Sequence, residues 1–148
     1  MHSLRPYLAA VCLLTAIGAQ ADSAVEKAVD YRQGLMNVFA WNVTSMGDMA
    51  KGKVPFDGTA FANYAKDLAA AARLELMAAF PEDSINEDSD ASDTIWLDWE
   101  KFQDKHRALG EQSAKLAEVV VGGDEAAMKK QFGETARTCK GCHDDFKN

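Results

Sequence analysis

The chain ends on Cys139-Lys140-Gly141-Cys142-His143-Asp144-Asp145-Phe146-Lys147-Asn148, and the C-x-x-C-H run inside it decides how everything before it is read. C-x-x-C-H is the attachment signature of c-type haem. Two cysteines three positions apart on a helical turn point the same way, so each thiol can form a thioether with one haem vinyl group. The neighbouring His143 then comes up beneath the iron as an axial imidazole ligand. A bare C-x-x-C could equally be a redox dithiol, half a zinc site or two buried thiols. Three further features of the chain favour haem.

The first is export. Met1 to Ala21 reads as a secretory signal peptide: Arg5 supplies the positive start, Leu8 to Ile17 the apolar core, and Ala19-Gln20-Ala21 a small-residue cleavage site. The apolar run is too short to span a bilayer comfortably, so no membrane insertion is expected. Cys12 lies inside that run behind the bulky Val11, which argues against a lipoprotein. Cleavage after Ala21 leaves a mature chain with only Cys139 and Cys142, destined for the periplasm. Haem is attached to C-x-x-C-H outside the cytoplasm, so leader and motif agree.

The second is size and charge. About 127 mature residues make one domain with a single core. The whole chain carries a net charge of −7; the leader removes Arg5 and no acid, so the mature chain is more acidic still. Such a surface repels nucleic acid and anionic membranes and could dock a basic redox partner.

The third is helical periodicity throughout. Ser23 with Glu26 forms a capping box that predicts a helix start just after the cleavage site. Val25, Val29, Arg32, Leu35-Met36, Phe39, Val43, Met46 and Ala50 follow at helical spacing. Gly52 and Pro55 end that helix, and Asp57 can cap the next, whose inner face carries Phe61, Ala65, Leu68, Ala72 and Leu76. Pro81 to Asp93 is an acidic, solvated connection without the ligand ladder of a calcium-binding loop. A third helix, from Ser92 or Asp93, carries Ile95, Trp99, Phe102, His106 and Leu109, with His106 a packing or surface residue. Gly122-Gly123 stop it, and Asp124 caps a fourth that shows Met128, Phe132, Thr135, Cys139, Cys142 and Phe146 on one stripe. The predicted fold is all-α: an antiparallel four-helix bundle with a covalently attached haem at one end of its core.

At this point the chain resembles the cytochrome c′ family of class II c-type cytochromes, itself a standard example of a four-helix bundle. The resemblance covers the mature chain. It rests on Tyr31 to Met36, on Lys51-Gly52-Lys53-Val54-Pro55-Phe56-Asp57, on Ile95-Trp96-Leu97-Asp98-Trp99, and on the C-terminal position of the haem motif. It implies one haem c per chain, ligated by His143 on the proximal face and by no protein atom on an apolar distal face. By the same likeness Met36 lies at the distal face, Arg32 pairs with a haem propionate, Gln33 touches the haem edge, and Lys147 stands near the proximal imidazole. Phe80 is implied as a pocket wall, and Ser92 and Asp93 as neighbours of the haem edge. A homodimer through the first two helices is implied as well.

The expected function is that of a periplasmic haem protein, not an enzyme, binding NO or CO at an open iron and exchanging electrons. The alternative is a six-coordinate, low-spin electron carrier in which the Met36 thioether is the second axial ligand. A third reading, a thiol oxidoreductase using Cys139 and Cys142, lacks the β-strand that precedes such a motif.

Overall fold

A computed structural model describes residues 15–148, with side chains from residue 24 onward. The expected leader and its cleavage site, Cys12 included, lie outside the residues whose side chains are described. The secondary structure is helical: α1 (Thr15–Ala50), α2 (Gly58–Ala71), α3 (Thr94–Leu97), α4 (Trp99–Val119) and α5 (Glu125–Phe146), with short 3₁₀ turns at Met77–Ala79 and Val120–Gly122. α1, α2, α4 and α5 are the four packed helices, and α3 is a single turn. No described helix is long and apolar enough to cross a membrane.

The stripes read from the sequence face inward. Val29, Leu35, Phe39 and Met46 of α1, Phe61, Ala65 and Leu68 of α2, Phe102, Leu109 and Leu116 of α4, and Met128 and Phe132 of α5 are buried. Asp57 caps α2 by accepting from the backbone N–H groups of Thr59 (2.9 Å) and Ala60 (3.0 Å), and Asp124 caps α5 by accepting from that of Ala127. Gly52 and Gly123 hold φ values of 70° and 71°, a left-handed conformation that ends the preceding helices at little steric cost.

Neighbouring helices run antiparallel. Lys105 of α4 bonds Gly141 of α5, while seven residues later Gln112 bonds Gln131. The bundle end remote from the cysteines is closed by rings: Phe61 and Phe132 meet edge to face at 5.9 Å, and Phe132 lies 3.6 Å from where a side chain on Gly47 would begin. α1 can therefore approach α5 closely there.

Three details depart from the sequence reading. α1 passes through Ser23 instead of starting after it, because the preceding Ala16, Ala19 and Ala21 favour helix in the uncleaved chain and a lone Gly18 does not stop it. α2 ends at Ala71, so Ala72 is its cap and Leu76 lies beyond it, though both remain buried. The third helix is broken at Asp98, whose backbone (φ −131°, ψ 52°) separates α3 from α4. The break follows from tertiary bonds: the Thr94 hydroxyl donates to the Asp145 carbonyl at 3.3 Å, and the Trp96 indole donates to the Phe80 carbonyl at 3.2 Å.

Candidate functional site

Cys139 and Cys142 lie on the inner stripe of α5, two turns and one turn before the buried Phe146. Both are half-buried, unbridged, and packed against the hydrophobic core. Burial pushes both thiols up, Cys142 to about 11. They also sit in the C-terminal half of α5, where the helix dipole disfavours an anion. An activated dithiol needs a lowered pKa, so this setting argues against thiol redox chemistry. His143 follows directly on the outer side, exposed, and its ring makes no hydrogen bond among the described residues.

The bundle around the cysteines is apolar but only half closed. Met36, Trp96, Trp99, Ala136, Cys139 and Cys142 pack against the core while remaining partly exposed. Behind them runs a continuous row of rings. Phe80 stands edge-on to Phe102 at 4.8 Å, and Phe102 meets Trp99 at 5.6 Å and Phe146 at 5.3 Å. Two thiols three residues apart, an adjacent free imidazole and a half-covered apolar face form a donor set and a surface that fit a c-type haem. No cluster of three His, Cys, Asp or Glu side chains suited to a metal ion occurs among the described residues.

Arg32 is the most constrained polar group at this end. Its side chain is buried at 4% exposure, and the guanidinium lies 4.7 Å over the Phe80 ring. It donates to the Ala79 carbonyl (3.0 Å), the Ser84 hydroxyl (2.9 Å), the Ser84 carbonyl (2.5 Å) and the Ser89 hydroxyl (2.7 Å). No carboxylate among the described residues neutralises it, and burial pushes its pKa down. The four N–H groups of its two terminal nitrogens are thus spent on the connection between α2 and α3. The fifth donor, Nε–H, makes no hydrogen bond among the described residues, which leaves one for a carboxylate. One residue on, Gln33 donates to the Asp88 carbonyl at 2.5 Å.

The same connection is tied at its other end to the end of α5. Ser92 N–H donates to the Phe146 carbonyl (3.0 Å), and Asn148 N–H to the Asp90 carbonyl (2.9 Å). Ser92 is buried and Asp93 exposed at this tie. Lys147 lies just past α5, and its ammonium pairs with Asp90 at 3.1 Å, so its bonded partner lies in the connection.

The geometry thus gathers Arg32, Phe80, Ser92, Phe146 and the cysteine stripe at one end of the bundle. His106 stands apart, half-buried with an unpartnered Nε2, as a packing residue. Sequence reading missed Ser84, which is fully buried under Arg32, and the pair Lys105–Asp145 (2.7 Å) between α4 and α5. The only signal for the latter was Lys101 and Lys105 spaced one turn apart on the polar flank of α4.

Comparison with known proteins agrees with this geometry. The profile of the family described as Cytochrome C′ matches residues 27–147. Cytochrome c′ of Halomonas halodenitrificans is 38% identical over 128 residues, covering 82% of this chain and 96% of that protein. The structure of cytochrome c prime from Shewanella frigidimarina superposes with a TM-score of 0.80 at 35% identity, covering 84% of this chain and 96% of that one. A ferrous variant of cytochrome c prime from Alcaligenes xylosoxidans with bound NO superposes with a TM-score of 0.75 at 30% identity, covering 84% and 95%.

Proposed function

Since the chain belongs to the cytochrome c′ family of non-enzymatic haem proteins, we propose that it binds NO or CO at a haem iron left open on one face. Cys139 and Cys142 would hold one haem c per chain through thioether bonds, and His143 would ligate its iron. When bound, the haem supplies an iron atom that takes small diatomic ligands and changes oxidation state. The observation that carries this reading is the setting of the motif: Cys139 and Cys142 are half-buried on the inner stripe of α5 with the exposed His143 beside them, in a bundle end whose apolar face is only half covered. Met36 on the inner stripe of α1 packs against the same core and is the candidate for the opposite face.

Met36 is half-buried and apolar, with three rotatable bonds and no strong hydrogen-bond donor. As a gate it would yield to a small, strongly bonding diatomic, and it would offer oxygen no hydrogen bond. Arg32, with one donor remaining, holds a haem propionate, and Gln33 borders the haem edge. Phe80 forms the pocket wall, with Ser92 and Asp93 near the edge and Lys147 on the proximal side. That a homologous cytochrome c prime from Alcaligenes xylosoxidans has been captured with bound NO supports the ligand class. The alternative, a low-spin electron carrier, is favoured by the same Met36 thioether, which would be a soft second ligand for the iron.

The protein is exported to the periplasm after cleavage behind Ala21, and its acidic surface fits a basic redox partner. The outer face of α1 exposes Trp41 (68%), Val38 and Tyr31, a stripe suited to a second copy of the chain. The deciding experiment is the absorption spectrum of the purified protein, oxidised and reduced, before and after CO. A high-spin spectrum that changes with CO is expected. A low-spin spectrum unmoved by CO would make Met36 a ligand and the protein an electron carrier. The absence of any haem band would overturn both.

A further inference from the structure

We infer that Lys105 is a positioning residue for the haem-attachment turn: fixed between the Gly141 carbonyl and the Asp145 carboxylate, its ammonium holds residues 139–145 against α4 and keeps a positive charge beside the iron ligand. The inference rests on the reading of Cys139, Cys142 and His143 as the haem site.

The contacts are specific. Lys105 Nζ donates to the Gly141 carbonyl at 2.9 Å and lies 2.7 Å from Asp145 Oδ2. Gly141 stands between the two cysteines, and Asp145 two residues beyond His143. One side chain of α4 therefore clasps the motif from its middle to past the ligand. A helical carbonyl has two lone pairs, so Gly141 can accept from α5's own backbone and from the ammonium together. The Lys105 side chain is 30% exposed, against 47% for Lys101 and 74% for Lys140. Lys101 reaches Asp145 at 3.3 Å and lies 5.7 Å from the centre of the Phe146 ring, and Lys140 pairs with Asp144 on its own helix. Among these lysines only Lys105 bonds the backbone of the motif. Near the C-terminal end of α5 its charge also meets the negative end of the helix dipole.

The electrostatic consequence has a sign. Reduction removes one positive charge from the iron, so a fixed cation nearby favours the reduced state. Lys101, Lys105 and Asp145 together carry one net positive charge. Without Lys105 the remaining pair is neutral, and the reduction potential falls. Lys101 has the same charge without the backbone bond, which makes it the natural control.

The test compares wild type, Lys105→Met, Lys105→Gln, Lys105→Arg and Lys101→Met as purified protein. Two readouts are used: reduction potential by spectroelectrochemistry, and amide hydrogen exchange over residues 139–146. Lys105→Met is expected to shift the potential negative and to speed exchange roughly tenfold, the loss of one charge-assisted hydrogen bond. Lys105→Arg should restore both. Lys105→Gln, which keeps a donor but no charge, should restore slow exchange while leaving the potential low. Lys101→Met should leave exchange at the wild-type rate. Unchanged potential and exchange in Lys105→Met overturn the inference, as does an equal effect on both in Lys101→Met. Isolation of wild type with both thiols free and no haem band refutes the functional reading instead; the exchange comparison then still decides whether Lys105 holds the turn.

Discussion

Replacing Arg32 with Met tests how the end of the bundle that carries the cysteine motif is held. Met keeps the helix propensity and the apolar stem of Arg but removes every donor. Four hydrogen bonds vanish, and their acceptors differ in what replaces them. Ser89 is half-exposed and turns to water, whereas Ala79 and Ser84 are buried at 3% and 0% exposure and stay unpaired. Each buried unsatisfied group costs about 1–3 kcal/mol. The lost contact with the Phe80 ring adds about 0.5–1 kcal/mol. Against these stands the relief of removing a desolvated cation that pairs with no carboxylate among the described residues, worth several kcal/mol in unfavourable cases. The net expectation is a loss of about 2–4 kcal/mol, a large share of the ~5–15 kcal/mol typical of a domain.

The loss should be local before it is global. Urea unfolding followed by circular dichroism should show a lower midpoint, and hydrogen exchange should rise first at Ser84, Ile85 and Ser89. Lys at position 32 keeps the charge but not the planar fork and should recover only part of the loss. The guanidinium stays charged at all working pH values despite burial, so the effect should be flat between about pH 5 and 9. An unchanged midpoint together with unchanged exchange at Ser84 and Ile85 would refute the claim that Arg32 organises the connection.

Three other perturbations have definite outcomes. Burial lowers the His106 pKa from 6.5, with Glu75 opposing, so the unfolded chain takes up a proton first. Stability should hold above about pH 6.5 and fall as pH drops toward the lowered folded value, at up to about 1.4 kcal/mol per pH unit; His106→Gln should flatten this slope in chemical denaturation at pH 5–7. Asp124→Ala removes the cap of α5 and should cost about 1 kcal/mol of stability, read from the denaturation midpoint. Trp41→Glu places a charge at the centre of the exposed α1 stripe and should leave a monomer by light scattering; a persistent dimer would move the interface off that face.

Much of the fold was legible because its signals are local. The stripes of α1, α2 and α5 need only a period of three to four, and Asp57, Asp124, Gly52 and Gly123 act within one turn of where they stand. The break at Asp98 was not legible, since Ile95, Trp99 and Phe102 keep helical spacing across it and no Gly or Pro marks it. It depends on Thr94 reaching Asp145 and Trp96 reaching Phe80, which are contacts between distant parts of the chain. The attachment motif could be read by its letters alone, but Lys105 could not, because its partners lie 36 and 40 positions away on another helix. Arg32 was legible as a cation on an otherwise apolar stripe, with a haem propionate as the partner the family resemblance implies. Its partners were not, because Ser84 is a single serine in an acidic run and only the folded connection brings it beneath α1.

That connection explains why one buried arginine matters at this end of the bundle. Glu82, Asp83, Glu87, Asp88, Asp90 and Asp93 are all exposed, and like charges so close favour an extended chain. Two cations oppose that tendency, one near each end of the run. Lys147 pairs with Asp90 in the open, where an ion pair contributes at most about 1 kcal/mol and fades with salt. Arg32 works from the inside through carbonyl and hydroxyl oxygens, in bonds that salt screens little. The repulsion is itself screened at physiological ionic strength, so the connection should stay docked as salt rises even while the Lys147 pair weakens. Arg32 is thus the stronger of the two ties on a segment that joins the helix bearing Met36 to the end of the helix bearing His143.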